Sequence, residues 1–159
     1  MIASRRHIAP IRDDERGALL DLWVASWRAT FPDIDFDARR PWFVGRLAEL
    51  EAQGAELICM FQDTPKPGER KLVGFVLIDP NTGWLDQIAV KPNAFGAGVG
   101  RELLNAAKRA SPGHIRLDVN ADNFRALRFY KREGFTRVGA GVNKLSGRET
   151  AVLEWVRGE

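Results

Sequence analysis

Three glycines, Gly96, Gly98 and Gly100, fall within five residues of one another, shortly after an apolar stretch that ends at Val90. Glycine has no Cβ atom, and the first turn of a helix carries unpaired backbone N–H groups at the positive end of the helix dipole. The amphipathic sequence from about Gly98 to Ala110 predicts a helix at this turn. The segment therefore predicts a main-chain site that a phosphate or pyrophosphate can approach closely.

Two other kinds of glycine-rich phosphate loop do not fit this spacing. A dinucleotide-binding fingerprint, G-x-G-x-x-G, requires its third glycine at position 101, and a Walker A loop that starts at Gly96 requires its second glycine there. That position holds Arg101. A flexible glycine-rich connector is the remaining alternative, and a second segment argues against it.

The second segment, Leu117 to Phe135, reads LDVNADNFRALRFYKREGF, a short strand pattern followed by a helical pattern. Asn123 and Tyr130 are seven residues apart. On a helix they share one face and lie two turns, or about 10 Å, from each other. Ala126 lies between them and keeps this face shallow. A ligand can therefore run along the face and reach a phenol at its end.

Together the two segments resemble the GNAT superfamily of acyl-CoA-dependent N-acetyltransferases. The family's acyl-CoA loop, Gln/Arg-x-x-Gly-x-Gly/Ala, reads Phe95-Gly96-Ala97-Gly98-Val99-Gly100 here. The later block, N-x-x-A-x-x-x-Y-x-x-x-G-F, is matched by Asn123, Ala126, Tyr130, Gly134 and Phe135. The family usually has Gln or Arg where this chain has Phe95, so a side-chain hydrogen bond to phosphate is lost at that position.

The resemblance implies direct transfer of an acetyl group from acetyl-CoA, a co-substrate, to a primary amine. In the family a strand N–H polarises the thioester carbonyl, for which Ile88 or Val90 is expected, and Tyr130 is the expected proton donor to the leaving thiolate. The residues that the resemblance assigns to co-substrate binding are Ile88, Ala89, Val90, Phe95, Gly96, Ala97, Gly98, Val99, Gly100, Arg101, Asn123, Ala126 and Tyr130.

The group that takes the proton from the amine is indicated less directly. A carboxylate or a water chain can do this, and Asp86, two residues before Ile88, is the first candidate. The alternative is a strand carboxylate that faces water or an arginine. In the family the first two helices and their connection line the acceptor pocket, so Trp27 and Phe31 are expected to bind the substrate. Trp84 supplies further aromatic surface and is the third expected substrate-binding residue. The alternative is that these side chains belong to the core.

Composition is that of an ordinary globular domain. The 159 residues are 45% hydrophobic and 28% charged, with a net charge of +3, a single cysteine (Cys59) and two histidines. One domain over residues 1–159 is expected, without a disulfide or a metal site. The apolar runs are too short for a bilayer, and the N-terminus lacks a signal peptide's apolar region. We expect a cytoplasmic protein with an amine acceptor, no nucleic-acid or membrane partner and, from the resemblance, a possible homodimer.

Hydrophobic periodicity predicts the element order βααβββαβαββ. Asp13 or Asp14 is expected to cap the first helix and Asp37 the second. This is the order of the GNAT fold. It implies an α/β (α+β) domain, with a mixed, mainly antiparallel sheet of about seven strands and about four flanking helices.

Two functional alternatives stay open at the level of the sequence. One is a module that binds acyl-CoA as a sensor without turnover, and the other is a small NAD-type nucleotide-binding enzyme. The sequence does not identify the acceptor amine.

Overall fold

The computed structural model describes residues 5–158. Its elements are β1 (Arg6–Ala9), α1 (Arg16–Thr30), α2 (Arg40–Ala52), β2 (Glu56–Asp63), β3 (Arg70–Ile78), β4 (Leu85–Val90), α3 (Val99–Ala110), β5 (His114–Asn120), α4 (Phe124–Arg132), β6 (Thr136–Val142) and β7 (Glu149–Val156). The predicted order and fold class are confirmed. The stretch on which the signal-peptide expectation rests begins outside the described residues. Within 5–158, no helix is both long enough and apolar enough to cross a membrane.

The strands form two antiparallel sheets, in the orders β1-β2-β3-β4 and β5-β7-β6. A single parallel bridge, between Trp84 and Arg116, joins them. There the Arg116 N–H donates to the Gly83 carbonyl oxygen at 3.0 Å. No further ladder contact links β4 to β5 in the described part of the chain. The expected mixed sheet is therefore open between these two strands.

β4 contains a bulge at Asp86. Leu77 of β3 pairs with Gln87, and the next residue, Ile78, pairs with Leu85, so Asp86 is an extra residue without a partner. A bulge increases the local twist of a strand and re-aims its side chains. Gln87 consequently faces α1, where its Oε1 accepts a hydrogen bond from Trp23 Nε1 at 3.1 Å. The bulge lies where β4 begins to part from β5.

Two apolar clusters cover the two faces of the open sheet. On one face, Leu103 and Val99 of α3 pack with β3, β5 and Tyr130 of α4. On the other, Leu19, Trp23 and Phe43 of α1 and α2 pack with β2 and β3. Both helical layers are thereby fixed to β3 and β4, which places α1 and α3 on opposite sides of the opening.

The expected helix caps were wrong. Asp13 and Asp14 lie in a 3-10 turn, and Glu15 precedes α1. Arg70 donates to both carboxylate oxygens of Glu15, at 2.6 and 3.0 Å, so an ion pair to β3 orders this segment. Arg39 takes the cap position of α2 without a side-chain cap bond.

Asp37, which was expected at that cap position, pairs with Arg28 of α1 instead. At Asp37, therefore, an arginine from another helix binds an acid that local sequence alone would assign to a helix end.

Gly74 of β3 is the point where α3 approaches the sheet most closely. A Cβ atom there would lie 2.7 Å from Leu103 Cδ1 and 3.0 Å from the Ala89 carbonyl oxygen.

We predict that Gly74→Ala lowers the free energy of unfolding by about 1–3 kcal/mol through overpacking. Gly45→Ala is the control, because a Cβ on that exposed face of α2 meets nothing within 4 Å. It should gain about 0.5–1 kcal/mol. Urea unfolding measures both, and equal gains would contradict the close approach.

Candidate active site

A cavity of about 720 Å³ lies where β4 and β5 separate. Its wall comes from β4, the glycine loop, the first turn of α3, β5, α4 and the end of α1. The lining includes most of the residues predicted for the site: Trp27, Asp86, Ile88, Val90, Phe95, Gly96, Gly98, Gly100, Arg101, Asn123, Ala126 and Tyr130. The two motif segments, 17 residues apart between Gly100 and Leu117, thus meet around one space.

Five predicted residues are not among those that line the cavity. Ala89 and Val99 are buried in the core, with exposures of 3% and 1%, so only their backbone can contribute. Ala97 contributes its carbonyl oxygen to a hydrogen bond from Arg6. Phe31 stacks on Trp27 with ring centroids 6.0 Å apart. Trp84 donates its indole N–H to Asp86 Oδ1 at 3.2 Å. The last two side chains support lining residues.

The glycine loop has a left-handed backbone at two positions. Gly96 and Gly98 have φ of 80° and 85°, which only glycine adopts without strain, and Gly98 is the cap residue of α3. Gly100 has no left-handed backbone, and a Cβ there would make an ordinary van der Waals contact, 3.4 Å from Phe129 Cζ of α4. The loop therefore brings the N-terminus of α3 to the cavity, where its N–H groups favour an anion.

Arg6 of β1 holds the outer side of this loop. Its Nη1 donates to the Ala97 carbonyl oxygen at 2.7 Å, and its Nη2 donates to Glu102 Oε1 at 2.7 Å. One guanidinium thus joins the loop to the first turn of α3. Sequence reasoning did not find this contact, since β1 and the loop are 91 residues apart.

Arg125 supplies a cation where the family motif is broken. Its guanidinium carbon lies 3.9 Å from the centroid of the Phe95 ring, a cation–π stack. Arg125 lies in the first turn of α4, where the helix dipole disfavours positive charge. It forms no ion pair with any of residues 5–158. An uncompensated cation is therefore held at the glycine loop, in a position that suits an anionic ligand.

Backbone N–H groups of β4 also point at the cavity. The Lys91 N–H donates to the Val73 carbonyl oxygen at 2.9 Å. Since antiparallel strands alternate between paired and unpaired positions, Ala89 pairs with β3 and the N–H groups of Ile88 and Val90 point to the opposite edge. These are the two residues expected to polarise a carbonyl, and both line the cavity.

Tyr130 lies at the inner end of α4 with 6% of its surface exposed. Its ring packs against Phe129 and Phe135, at centroid distances of 5.2 and 5.4 Å. Burial raises the pKa of its phenol well above the ordinary value of 10.0. The hydroxyl therefore stays protonated throughout the neutral range and can donate a proton or a hydrogen bond into the cavity.

Asp86 is already bound by four donors. Arg46 of α2 contacts both its carboxylate oxygens, with Nη2–Oδ1 at 2.6 Å and Nε–Oδ2 at 3.3 Å. Trp84 Nε1 and Gln87 Nε2 donate as well, at 3.2 and 3.3 Å. This is the arginine-paired alternative for Asp86. All four donors come from the protein itself, and the two from Arg46 connect α2 to the bulge of β4.

Asp118 of β5 was missed by the sequence analysis. It lines the same cavity and makes no ion pair with the described residues. Loss of surrounding water, and next the charge of Asp86, raise the pKa of the Asp118 carboxyl above its ordinary value. The available signal was the alternation of Leu117 and Val119 with polar Asp118 and Asn120, which places the polar pair on one strand face.

The titration of Asp118 tests this reading of the electrostatics. Its folded-state pKa is raised, so its contribution to stability is complete below about 3.8, the ordinary carboxyl value, and is lost as the pH rises through the folded pKa. Carboxyl-carbon NMR should give a midpoint above 3.8 for Asp118, and Asp86→Asn should lower it by removing a like charge. Asp122→Asn, which removes a surface partner of Arg148, should not. If the Asp118 midpoint is the same in Asp86→Asn as in the unaltered protein, the two carboxylates are not coupled.

Comparison with known proteins agrees with this geometry. Residues 16–135 match the model of the acetyltransferase (GNAT) family. A mycothiol acetyltransferase of Kineococcus radiotolerans is 40% identical over 123 residues, which are 76% of this chain and 36% of that protein. The chain thus spans about a third of that relative. The peptidyl-lysine N-acetyltransferase YjaB of Salmonella typhimurium is 37% identical over 132 residues, 80% of this chain and 81% of that protein.

Among solved structures, the PaiA N-acetyltransferase of Thermoplasma acidophilum, determined in complex with coenzyme A, is similar in fold. Its TM-score is 0.72 at 15% identity, and the alignment covers 96% of this chain and 99% of that one. At that identity the likeness shows the fold alone. Through its family match and its full-length relatives, the chain belongs to the GNAT family of acetyltransferases.

Proposed function

We propose that this protein transfers an acetyl group from acetyl-CoA to a primary amine by direct attack. The observation that carries the proposal is the convergence of three features on one cavity: the glycine loop, the free N–H groups of Ile88 and Val90, and the buried phenol of Tyr130. They suit, in turn, a pyrophosphate, a thioester carbonyl and a departing thiolate. The coenzyme A bound to the Thermoplasma relative supports the choice of co-substrate.

The chain's own residues fit the co-substrate. The N-terminus of α3 and the Arg125–Phe95 stack offer N–H groups and a cation to the phosphates. Asn123 leaves its side-chain N–H groups for the cavity, because its Oδ1 is used to accept from the Ala126 N–H at 3.2 Å. Ala126 keeps this face of α4 shallow, as expected. The surface from Phe95 to Ala126 therefore binds and orients the co-substrate and takes no part in bond making or breaking.

The reaction needs two proton movements and no enzyme nucleophile. The amine nitrogen bonds to the acetyl carbon as the carbon–sulfur bond breaks, the amine proton passes to Asp118 directly or through water, and Tyr130 donates a proton to the sulfur. We assign the base role to Asp118 rather than Asp86, because Arg46 occupies Asp86. Cys59 is excluded as a nucleophile, since it is fully buried and burial raises the pKa of its thiol to about 12.

The two alternatives fare differently. An NAD-type enzyme is excluded by membership of the GNAT family. A sensor that binds acyl-CoA without turnover is disfavoured by a protonated Tyr130 and by an Asp118 without an ion pair to any of residues 5–158, both of which line one cavity. By their names, the relatives described above are a mycothiol acetyltransferase and a peptidyl-lysine N-acetyltransferase. The second name supports an amine acceptor for this chain.

Binding of coenzyme A tests the co-substrate half of the proposal. Arg125→Gln should raise the dissociation constant of coenzyme A by about 10-fold or more, because a hydrogen bond to a charged group contributes about 1.5–3 kcal/mol. Arg128→Gln is the matched control, one turn further along α4 and outside the cavity lining. Isothermal titration should separate the two variants. No binding by the unaltered protein would reject the proposal itself, and equal losses would reject the role of Arg125.

Turnover tests the catalytic half. Release of free coenzyme A from acetyl-CoA should appear with at least one acceptor in a panel of amines. Tyr130→Phe should then lower kcat by about 100-fold, the lower end of general acid catalysis, because a thiolate can leave without a proton. Coenzyme A affinity and the melting temperature should change little, since the ring still packs. An unaltered kcat, measured where chemistry limits turnover, would remove Tyr130 from the mechanism.

A further inference from the structure

Two buried polar atoms in the cavity wall have no hydrogen-bond partner among residues 5–158. They are Asn120 Oδ1 and Thr150 Oγ1, in residues that are only 8% and 1% exposed. Both residues line the cavity, and they face each other as register partners on β5 and β7. Leaving a buried polar group unsatisfied destabilises the folded protein. A pair kept at one spot is therefore explained by a ligand that satisfies it.

The pair lies on the acceptor side of the cavity. Leu117, Val119 and Ala151 belong to the α3–α4 core that holds Tyr130. Asn120 and Thr150 alternate with them along the strands and share the opposite sheet face with Asp118. Ser26 of α1 also borders the cavity on that side. Asn120 Oδ1 and Thr150 Oγ1 thus lie on the sheet face opposite the α3–α4 core that holds Tyr130. This is the side of the cavity that α1 borders and from which we expect the amine to enter.

The neighbouring strand leaves room for the hydroxyl. Gly141 of β6 pairs with Thr150, and a Cβ atom at Gly141 would lie only 3.0 Å from Thr150 Oγ1. The φ of Gly141 is not in the left-handed region, so backbone strain does not require glycine there. The glycine instead keeps the hydroxyl uncrowded.

The charges of the lining limit what this side can bind. Of its acids, Asp86 binds Arg46 and Glu133 lies 3.7 Å from Arg101. Asp118 is the lining carboxylate without a cation partner within residues 5–158. The cavity therefore offers a carboxylate partner to one cationic amine of a substrate and offers none to a second. Asn120 Oδ1 and Thr150 Oγ1 are neutral and offer an acceptor and a hydroxyl donor, which match the N–H and the carbonyl oxygen of an amide.

We propose that Asn120 and Thr150 form an amide-binding subsite, so that the acceptor is an amine that carries a neutral peptide-type amide rather than a polyamine or a simple alkylamine. This inference rests on the proposed acetyl transfer. In the bound state the acceptor amide N–H donates to Asn120 Oδ1, and Thr150 Oγ1 donates to the amide carbonyl oxygen. Asp118 then faces the single amine.

Shape-conserving variants test the subsite. Thr150→Val and Asn120→Leu remove polar atoms at nearly constant volume. For an unpartnered group such a change is neutral or stabilising, so each variant should melt at the same temperature as the parent or a few degrees higher. With a lysine-containing tripeptide as acceptor, kcat/KM should fall about 10-fold in each variant, which corresponds to one lost hydrogen bond of about 1.4 kcal/mol. With pentylamine it should fall much less.

The controls separate this inference from the proposed function. Thr136→Val, in the exposed face of β6, should leave both acceptors' rates unchanged, and coenzyme A affinity should stay constant in all variants. Binding of the tripeptide to the coenzyme A-loaded protein, followed by the NMR shift of the Asn120 side-chain amide, gives a readout that needs no turnover. Four results would overturn the subsite. They are an equal fall in kcat/KM for both amines, weaker coenzyme A binding, a lower melting temperature in both variants, and an Asn120 side-chain signal that does not shift when the peptide is added.

Discussion

β4 and β5 share one parallel bridge and then separate, and this loss of pairing creates the site. The separation leaves the N–H groups of Ile88 and Val90 without a neighbouring strand, and an unsatisfied backbone donor away from water is costly. The bulge at Asp86 twists β4 at the point of departure. A ligand whose carbonyl lies between the strands therefore completes hydrogen bonding that the fold itself leaves open.

The opening needs support from both sides, and different forces provide it. On one side α3 packs onto β3 through aliphatic side chains and the close approach at Gly74. On the other, the Arg46–Asp86 ion pair fixes α2 to the bulge. Because only 10% of the Asp86 side chain is exposed, this pair is screened less than a surface pair. Asp86 is thus occupied by a structural ion pair, whereas Asp118 on the facing strand has no ion-pair partner among residues 5–158.

The parts of the site that sequence reveals are those built within one segment. The glycine loop, its helix and the Asn123–Tyr130 face depend on local spacing, so their order and their place on helix and strand were predicted. Arg125 over Phe95, Asp118 beside Asp86, and Asn120 opposite Thr150 depend on which strands pair and in what register. Local periodicity does not fix those relations. Asp37 was misread for the same reason, since Arg28 of another helix pairs with it.

Arg6 connects the outermost strand of the four-stranded sheet to the glycine loop. β1 has a neighbour on one side only, so it is among the first elements expected to fray. When it does, the Ala97 carbonyl oxygen and Glu102 lose their shared guanidinium together, and only the packing of α3 on β3 still holds the first turn of that helix. The order of the glycine loop is therefore linked to the opening and closing of an edge strand that lies outside the cavity.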